Sequence, residues 1–397
     1  MKTSRTCHIA LIGQQFMGRA HSNAYAKVAH FFDLPVALHM HTIAARDGDS
    51  LRPFAKRWGW SHHTTQWREI AQNDEINLVD VGTPNHLHAE QSITMLEAGK
   101  HVACEKPLAG TLDDARAMRD AAAKAKRCKT FVWYNYRRCP AVALAHELLR
   151  EGKLGRIYHV RAHYLQDWGG PDTPLSWRFQ KKLAGSGAHG DLNAHIVDMA
   201  RFITGDEITE VTGAIAQTFI KQRPIVSGGP SGGITRGKKA AKAKGRSDVD
   251  DCVLFLARFK GGAVASFEAT RLATGNQNAN GIEINGECGS IRFDFEDMNL
   301  LWHYDASESP RTAGWRRIMC TSGGNHPYAD AWWPDAHVLG YEHGFVNMAA
   351  DMMRVLGGKK PVVPLPDFAD AYQTQRVLAA ALIAAKNRCA VKLSEVK

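Results

Sequence analysis

Asp191 and His195 stand four residues apart in the stretch GSGAHGDLNAHIVDMARFITG, residues 185–205, with Asp198 three positions further on. On a helix this spacing puts a carboxylate and an imidazole on one side, one turn apart. An imidazole takes and returns a proton near neutrality, and a neighbouring carboxylate can hold the ring or share a substrate hydroxyl, so the pair suits general acid–base chemistry. The same spacing also describes a surface ion pair or a capped helix start. Lys106, in Glu105-Lys106-Pro107 at the end of an apolar run, adds a cation. Taken singly it reads as a solvated loop lysine.

The elements that must position these groups are legible as alternating strand and helix over the first 130 or so residues. Residues 8–12 form a short buried strand, and Gly13-Gln14-Gln15-Phe16-Met17-Gly18 turns into a helix. That is the place of a dinucleotide-binding turn, where glycines allow a tight bend and pyrophosphate meets the amides of a helix start. The middle glycine of G-x-G-x-x-G is replaced by Gln15, so a plain strand-to-helix turn remains an equal reading. A second strand, 37–45, leads to Arg46 and Asp47, where an acid would bind the adenine ribose and an arginine a 2′-phosphate; NAD and NADP both stay open. Strands at 78–82 and 101–104 end in Thr83-Pro84-Asn85-His86-Leu87-His88 and in Glu105-Lys106-Pro107. Ligands of open α/β sheets sit off the carboxyl ends of strands, which brings Gly13, Asn85 and Lys106 to one crevice. Residues 113–126 read as a helix and 130–133 as a strand, and Tyr134-Asn135-Tyr136-Arg137-Arg138 closes a first domain, 1–138. The remainder, 139–397, forms a second.

Composition excludes several classes. The chain has 397 residues, 44% hydrophobic and 23% charged, as a folded globular protein does. Its net charge of +10 is partly local, because Arg236, Lys238, Lys239, Lys242, Lys244 and Arg246 share one segment. No nucleic-acid recognition motif accompanies that charge, so no nucleic-acid partner is expected. The eight cysteines never reach a CxxC spacing, which argues against a zinc cage or a disulfide framework; no metal is expected, and free thiols point to the cytoplasm. The start MKTSRTCHIALIG makes a poor signal peptide, and no apolar stretch has transmembrane length, so no membrane partner is expected.

In the second domain, strands are expected at 158–165, 218–221, 253–259, 263–271, 281–285 and 290–295, with a closing helix over 367–386. Residues 191–203 are expected to form a helix with one apolar face. Residues 227–247, rich in Gly, Lys and Ala, read as a loop. Gln166, Asp167, Trp168, Trp177 and Arg178 are of the types that grip sugars, tryptophan for C–H groups and the polar residues for hydroxyls; a buried tryptophan cluster with a satisfied arginine is the competing reading. Trp332, Trp333, His337, Tyr341 and His343 suit either a substrate lid or subunit packing.

The turn GQQFMGRAH, then TPNHLH, EKP, YNYRR and GSGAHGDLNAHIVDMARF, in this order and spacing, resemble the glucose–fructose oxidoreductase, inositol dehydrogenase and MocA (Gfo/Idh/MocA) family from about residue 8 to 205. The resemblance implies an α/β fold, a doubly wound parallel Rossmann sheet followed by an α+β domain with an open, mostly antiparallel sheet. It implies an NAD(P)-dependent enzyme acting on a hydroxyl of a sugar, glycoside or cyclitol, assembled as a homodimer or homotetramer. Lys106, Asp191 and His195 would be the catalytic set, converging on one nicotinamide. Gly13, Gln15, Phe16, Met17, Gly18, Arg46, Thr83, Pro84, Asn85, His88, Glu105, Lys106 and Asn135 would bind cofactor. Tyr136, Arg137, Gln166, Asp167, Trp168, Trp177 and Arg178 would join the catalytic set around substrate. YLQDW and PLSWRFQK are further similar to a branch that oxidises pyranosides at carbon 3. Two residues depart from the family pattern: Gln15, which bears on cofactor affinity, and His189, which stands where an apolar residue is frequent and bears on substrate shape. A non-catalytic cofactor-binding regulator, and an enzyme that recycles bound NAD through a 3-keto intermediate, are the competing classes.

Overall fold

The computed structural model describes residues 6–225 and 243–396. In chain order the elements are β1 (Thr6–Ile12), α1 (Phe16–Phe31), β2 (Ala37–Ala44), α2 (Gly48–Trp58), β3 (His62–Thr64), α3 (Glu69–Gln72), β4 (Leu78–Val81), α4 (His88–Glu97), β5 (His101–Cys104), α5 (Leu112–Lys124), β6 (Thr130–Val132), α6 (Pro140–Arg150) and β7 (Ile157–Leu165). There follow α7 (Lys181–Ala184), α8 (Ala194–Thr204), β8 (Ile208–Gln217), β9 (Gln222–Pro224), β10 (Lys244–Arg246), β11 (Cys252–Phe259), β12 (Val264–Thr270), β13 (Ala279–Gly286) and β14 (Gly289–Asp294). The chain closes with β15 (Leu300–Asp305), β16 (Arg316–Met319), α9 (Tyr341–Leu356), α10 (Phe368–Asn387) and β17 (Val391–Lys392). Two compact units result, Met1–Arg138 with Gly340–Tyr372, and Cys139–Leu339 with Gln373–Lys397.

The first unit is built on one parallel sheet in the order β3-β2-β1-β4-β5-β6. Its central strands read as apolar runs because helices cover both faces of such a sheet; Ile9, Leu11, Leu78, Val81 and Val102 are fully buried. Residues 340–372 group with this unit and not with the rest of 139–397. α9 packs on α1, and the buried Arg138 guanidinium donates through Nη2 to the carbonyls of Val363 and Pro364, both at 3.0 Å. Val132 N also donates to Pro366 O at 2.8 Å, continuing the backbone pairing at the sheet edge. Burying a guanidinium demands such acceptors, and the chain supplies them from residues more than two hundred positions away.

The second unit carries a sheet in the order β16-β15-β14-β13-β7-β12-β11-β8-β17, antiparallel except between β12 and β7. Alternation is clean on β11, where Val253, Phe255 and Ala257 are buried and Leu254 and Leu256 face outward. Three expectations are corrected here. Residues 218–221 are not a strand: the Asp251 carboxylate takes the amides of Phe219 and Ile220, both at 2.8 Å, which diverts this backbone from the ladder after β8 ends at Gln217. α8 has no exposed polar face, since every residue from Ala194 to Ile203 is buried, packed against α6, β7 and β13. The helix also does not run regularly from Asp191, because His189–Asn193 forms a π-helical turn ahead of α8. Most of the expected 227–247 loop lies outside the described residues, and its end, β10, pairs with β9.

Candidate active site

In the first unit, β1 ends at Gly13, whose φ of 123° is open to glycine and whose Cβ, if present, would lie 2.6 Å from Gly82 O. A Cβ on Gly18 would lie 2.4 Å from Gly13 O. Both glycines are thus demanded by close backbone approach. Gln15 has φ −75° and ψ −147°, so no positive φ calls for glycine at this position. α1 opens at Phe16 with no acidic residue in its first turn, so its amides present partial positive charge for an anion. This cradle fits a pyrophosphate. Gln15 is exposed at the helix cap, with Phe16 and Met17 half-buried behind it; the Phe16 ring stacks on Tyr341 at 6.2 Å. Arg46 and Asp47 are exposed at the end of β2, and hydrogen bonding from the Ser50 hydroxyl, 2.5 Å from Asp47 Oδ2, lowers the Asp47 pKa.

The turns after β4 and β5 are tied by the buried His88. Its Nε2 faces Thr83 O at 2.8 Å and its Nδ1 faces Pro107 O at 3.1 Å; burial lowers its pKa. Thr83 Oγ1 donates to Gln91 Oε1 at 2.7 Å, Asn85 is buried after Pro84, and Lys106 is half-buried. Glu105 folds back so that its Oε2 accepts the Lys106 amide at 3.0 Å. Glu105 Oε1 meets His21 Nε2 at 3.1 Å, while His21 Nδ1 lies 2.9 Å from Asp80 Oδ2, an ion pair off the ideal hydrogen-bond axis. Asp80 also accepts from Tyr25 Oη at 2.8 Å and Trp133 Nε1 at 3.0 Å. Burial of the His21 ring would lower its pKa, but Asp80, and then Glu105, outweigh burial and raise it to about 9. His21 is therefore a buried imidazolium between two carboxylates, stacked on Trp133 with ring centroids 4.1 Å apart. Sequence reading used His21 only as part of a motif and missed Asp80, whose carboxylate sits inside an apolar strand with no local signal. Asn135, Tyr136 and Arg137 are all buried, and Arg137 Nη2 donates to Asp370 Oδ2 at 2.6 Å.

In the second unit the chemistry-bearing turn is held by Asp250. Its carboxylate accepts Gly187 N at 2.7 Å and His189 N at 3.0 Å. Gly187 permits this, since a Cβ there would sit 1.8 Å from Asp250 O. His189 serves packing: its Nε2 faces Leu378 O at 2.8 Å, its Nδ1 meets Asn193 Nδ2 at 2.9 Å, and burial lowers its pKa. One turn later the Asp191 carboxylate is gripped by Arg271 Nη2 at 2.7 Å, with Arg178 Nη1 at 3.4 Å. His195 is only 7% exposed, with the Tyr164 ring centroid 5.9 Å away. A solvated surface pair is thereby excluded for Asp191 and His195.

Around them, Trp168 is a core residue: its Nε1 donates to Gln166 Oε1 at 2.6 Å, and it clusters with Phe179 and Val249. The Arg271 guanidinium lies 5.0 Å over its ring. Trp177 is half-buried under Arg178, 4.6 Å from the ring centroid, and Asp167 is half-buried as well. Arg271 and Asp250 were absent from the sequence-based site, because each is 60 to 80 residues from the group it holds.

Residues 7–134 match the oxidoreductase family, NAD-binding Rossmann fold, and residues 142–292 match the GFO/IDH/MocA C-terminal domain. The chain belongs to the Gfo/Idh/MocA oxidoreductase family. Among its Gfo/Idh/MocA relatives is levoglucosan dehydrogenase of Pseudarthrobacter phenanthrenivorans, 44% identical over 370 residues, covering 92% of this chain and 93% of that one. A solved levoglucosan dehydrogenase in complex with NADH and levoglucosan is 40% identical, covers 98% of this chain and 100% of its own, and superposes with a TM-score of 0.89. An oxidoreductase domain protein of Kribbella flavida is 49% identical, covers 98% and 99%, and has a TM-score of 0.91. The Gfo/Idh/MocA chain is thus an oxidoreductase with an NAD-binding domain, as the motif resemblance implied. Among the described residues, no helix is long and apolar enough to cross a membrane.

Proposed function

We propose that this enzyme transfers hydride between a secondary hydroxyl of a sugar or glycoside, at carbon 3 of a pyranoside ring, and NAD(P), with an anhydrosugar of the levoglucosan kind as the first substrate to test. The likeness over almost the whole chain to a structure holding NADH and levoglucosan carries this reading. The glycine cradle at Gly13 and Gly18 and the α1 amides would hold the pyrophosphate. When bound, the nicotinamide supplies the hydride acceptor. His195 takes the hydroxyl proton, Lys106 stabilises the developing alkoxide, and Asp191, fixed by Arg271 and Arg178, anchors a neighbouring substrate hydroxyl. His21, Asp80 and Glu105 position the Lys106 backbone. Arg178 and Trp177 are the substrate-facing candidates of the second unit.

Two further properties belong to this reading. The eight cysteines form no disulfide, which accords with the cytoplasm. The outward Leu254, Leu256, Val264 and Ile215 give the second unit an apolar sheet face that a homo-oligomer would cover.

The test is reduction of NAD or NADP, followed by nicotinamide absorbance, over a panel of levoglucosan, glucosides and inositols. Turnover of a pyranoside, lowered about 10²–10⁴-fold by Lys106→Ala and by His195→Ala, is expected. Equal turnover by either variant overturns the assignment. Acting as a unit, the two changes together should cost far less than the product of the single losses.

A further inference from the structure

A cluster of histidines in the first unit has no part in the chemistry above. β1 and β2 pair in parallel with His8 opposite His39, and His41 lies two residues on, on the same sheet face. His62 on β3 brings its ring centroid within 4.8 Å of that of His41. Glu75, in the segment before β4, places its Oε2 3.0 Å from His41 Nε2. One donor atom each from His8, His41 and Glu75 lies within 4.8 Å of the others. His39 Nδ1 adds a third nitrogen, and a fourth donor, 3.2 Å from His8 Nδ1. These residues are at the middle and amino ends of their strands, whereas the nucleotide cradle follows the carboxyl end of β1.

We infer that His8, His41 and Glu75 form a binding site for a divalent transition-metal ion of the zinc class. Two imidazoles and one carboxylate are the donor set such ions take, while calcium and magnesium prefer oxygen alone. Ligand atoms around a tetrahedral zinc ion stand roughly 3.4 Å apart, given metal–ligand bonds of about 2.1 Å. The His41–Glu75 pair is already near that separation, and the Glu75 side chain, 72% exposed, is free to adjust. His41 is held in orientation by its Nδ1 against Thr42 Oγ1 at 2.7 Å, the kind of outer hydrogen bond that fixes a ligating ring with its other nitrogen toward the ion. A recess of about 270 Å³ lined by His41, His62, His63 and Glu75 opens on the His41–Glu75 side of the cluster. The ion would staple β1 and β2 to the chain entering β4, and its binding to the folded form alone would raise stability by mass action.

The experiment uses the full chain without a histidine tag, stripped with chelator and dialysed. Titration with zinc chloride by calorimetry should show one ion bound per chain and a raised melting temperature, and cobalt(II) should give the visible bands of a four-coordinate nitrogen–oxygen site. Glu75→Gln, at an exposed position, and His8→Asn should each weaken zinc binding by at least ~10-fold while circular dichroism stays unchanged. Absence of stoichiometric binding by the parent chain overturns the inference. So does binding of undiminished affinity in both variants, which would put the ion elsewhere.

Discussion

The Arg271 guanidinium, 1% exposed, lies 2.7 Å from the Asp191 carboxylate, with the Trp168 ring beneath it. The acid singled out for substrate contact is therefore also the counter-ion of a buried cation. Asp191→Ala leaves Arg271 buried without its carboxylate, and such a loss costs about 3–5 kcal/mol. Denaturant unfolding of the variant should show it, and a change under about 1 kcal/mol would mean that the pair contributes little. Asp191→Asn, which keeps an acceptor oxygen, should fold better than Asp191→Ala while turnover stays low.

The buried His21 predicts a pH dependence of stability. Its folded pKa of about 9 lies above the ordinary 6.5, so its contribution is fully present below pH 6.5 and is lost as pH rises through about 9. Melting temperature should fall across that window in the parent chain. In His21→Asn the fall should be shallower, from a lower starting value. Parallel curves for the two proteins would show that the charge on His21 is not what titrates.

Gly18→Ala tests the nucleotide cradle. The new Cβ would meet the backbone oxygen of Gly13 at 2.4 Å, and relief requires the turn to open. A cost of ~1–3 kcal/mol in stability is expected, as for other overpacked sites. NADH titration by fluorescence should show weaker binding in the same variant. Gln15→Gly, which clears a side chain from the approach of the pyrophosphate, should bind NADH at least as tightly as the parent chain.

Arg46, exposed after β2, tests the choice of nucleotide. A guanidinium there favours a 2′-phosphate over a 2′-hydroxyl. Arg46→Ala should thus lower kcat/KM with NADP more than with NAD, by about tenfold or more, since a hydrogen bond to a charged group contributes about 1.5–3 kcal/mol. An equal effect on both nucleotides would remove Arg46 from that role.

Local pattern in the chain marked the strands near 8–12, 37–45, 78–82, 101–104, 130–133 and 158–165 and the glycine turn, but not α2, β3 and α3, which are short or strongly polar and carry no apolar run. Those signals are short in range: an apolar run for a buried parallel strand, alternation for a half-exposed one, a glycine where backbone crowds backbone. Tertiary structure alone decided which partner each charged side chain found. Asp191 meets Arg271 eighty residues away, His21 meets Asp80 and Glu105, and Arg138 draws residues 351 and 363–364 into the first unit. The histidines of β1, β2 and β3 became a cluster only through strand register, having no ligand spacing along the chain. A buried charge is stable only where the fold gathers its counter-charges, and that requirement is met between segments, leaving no trace in the periodicity of any one of them.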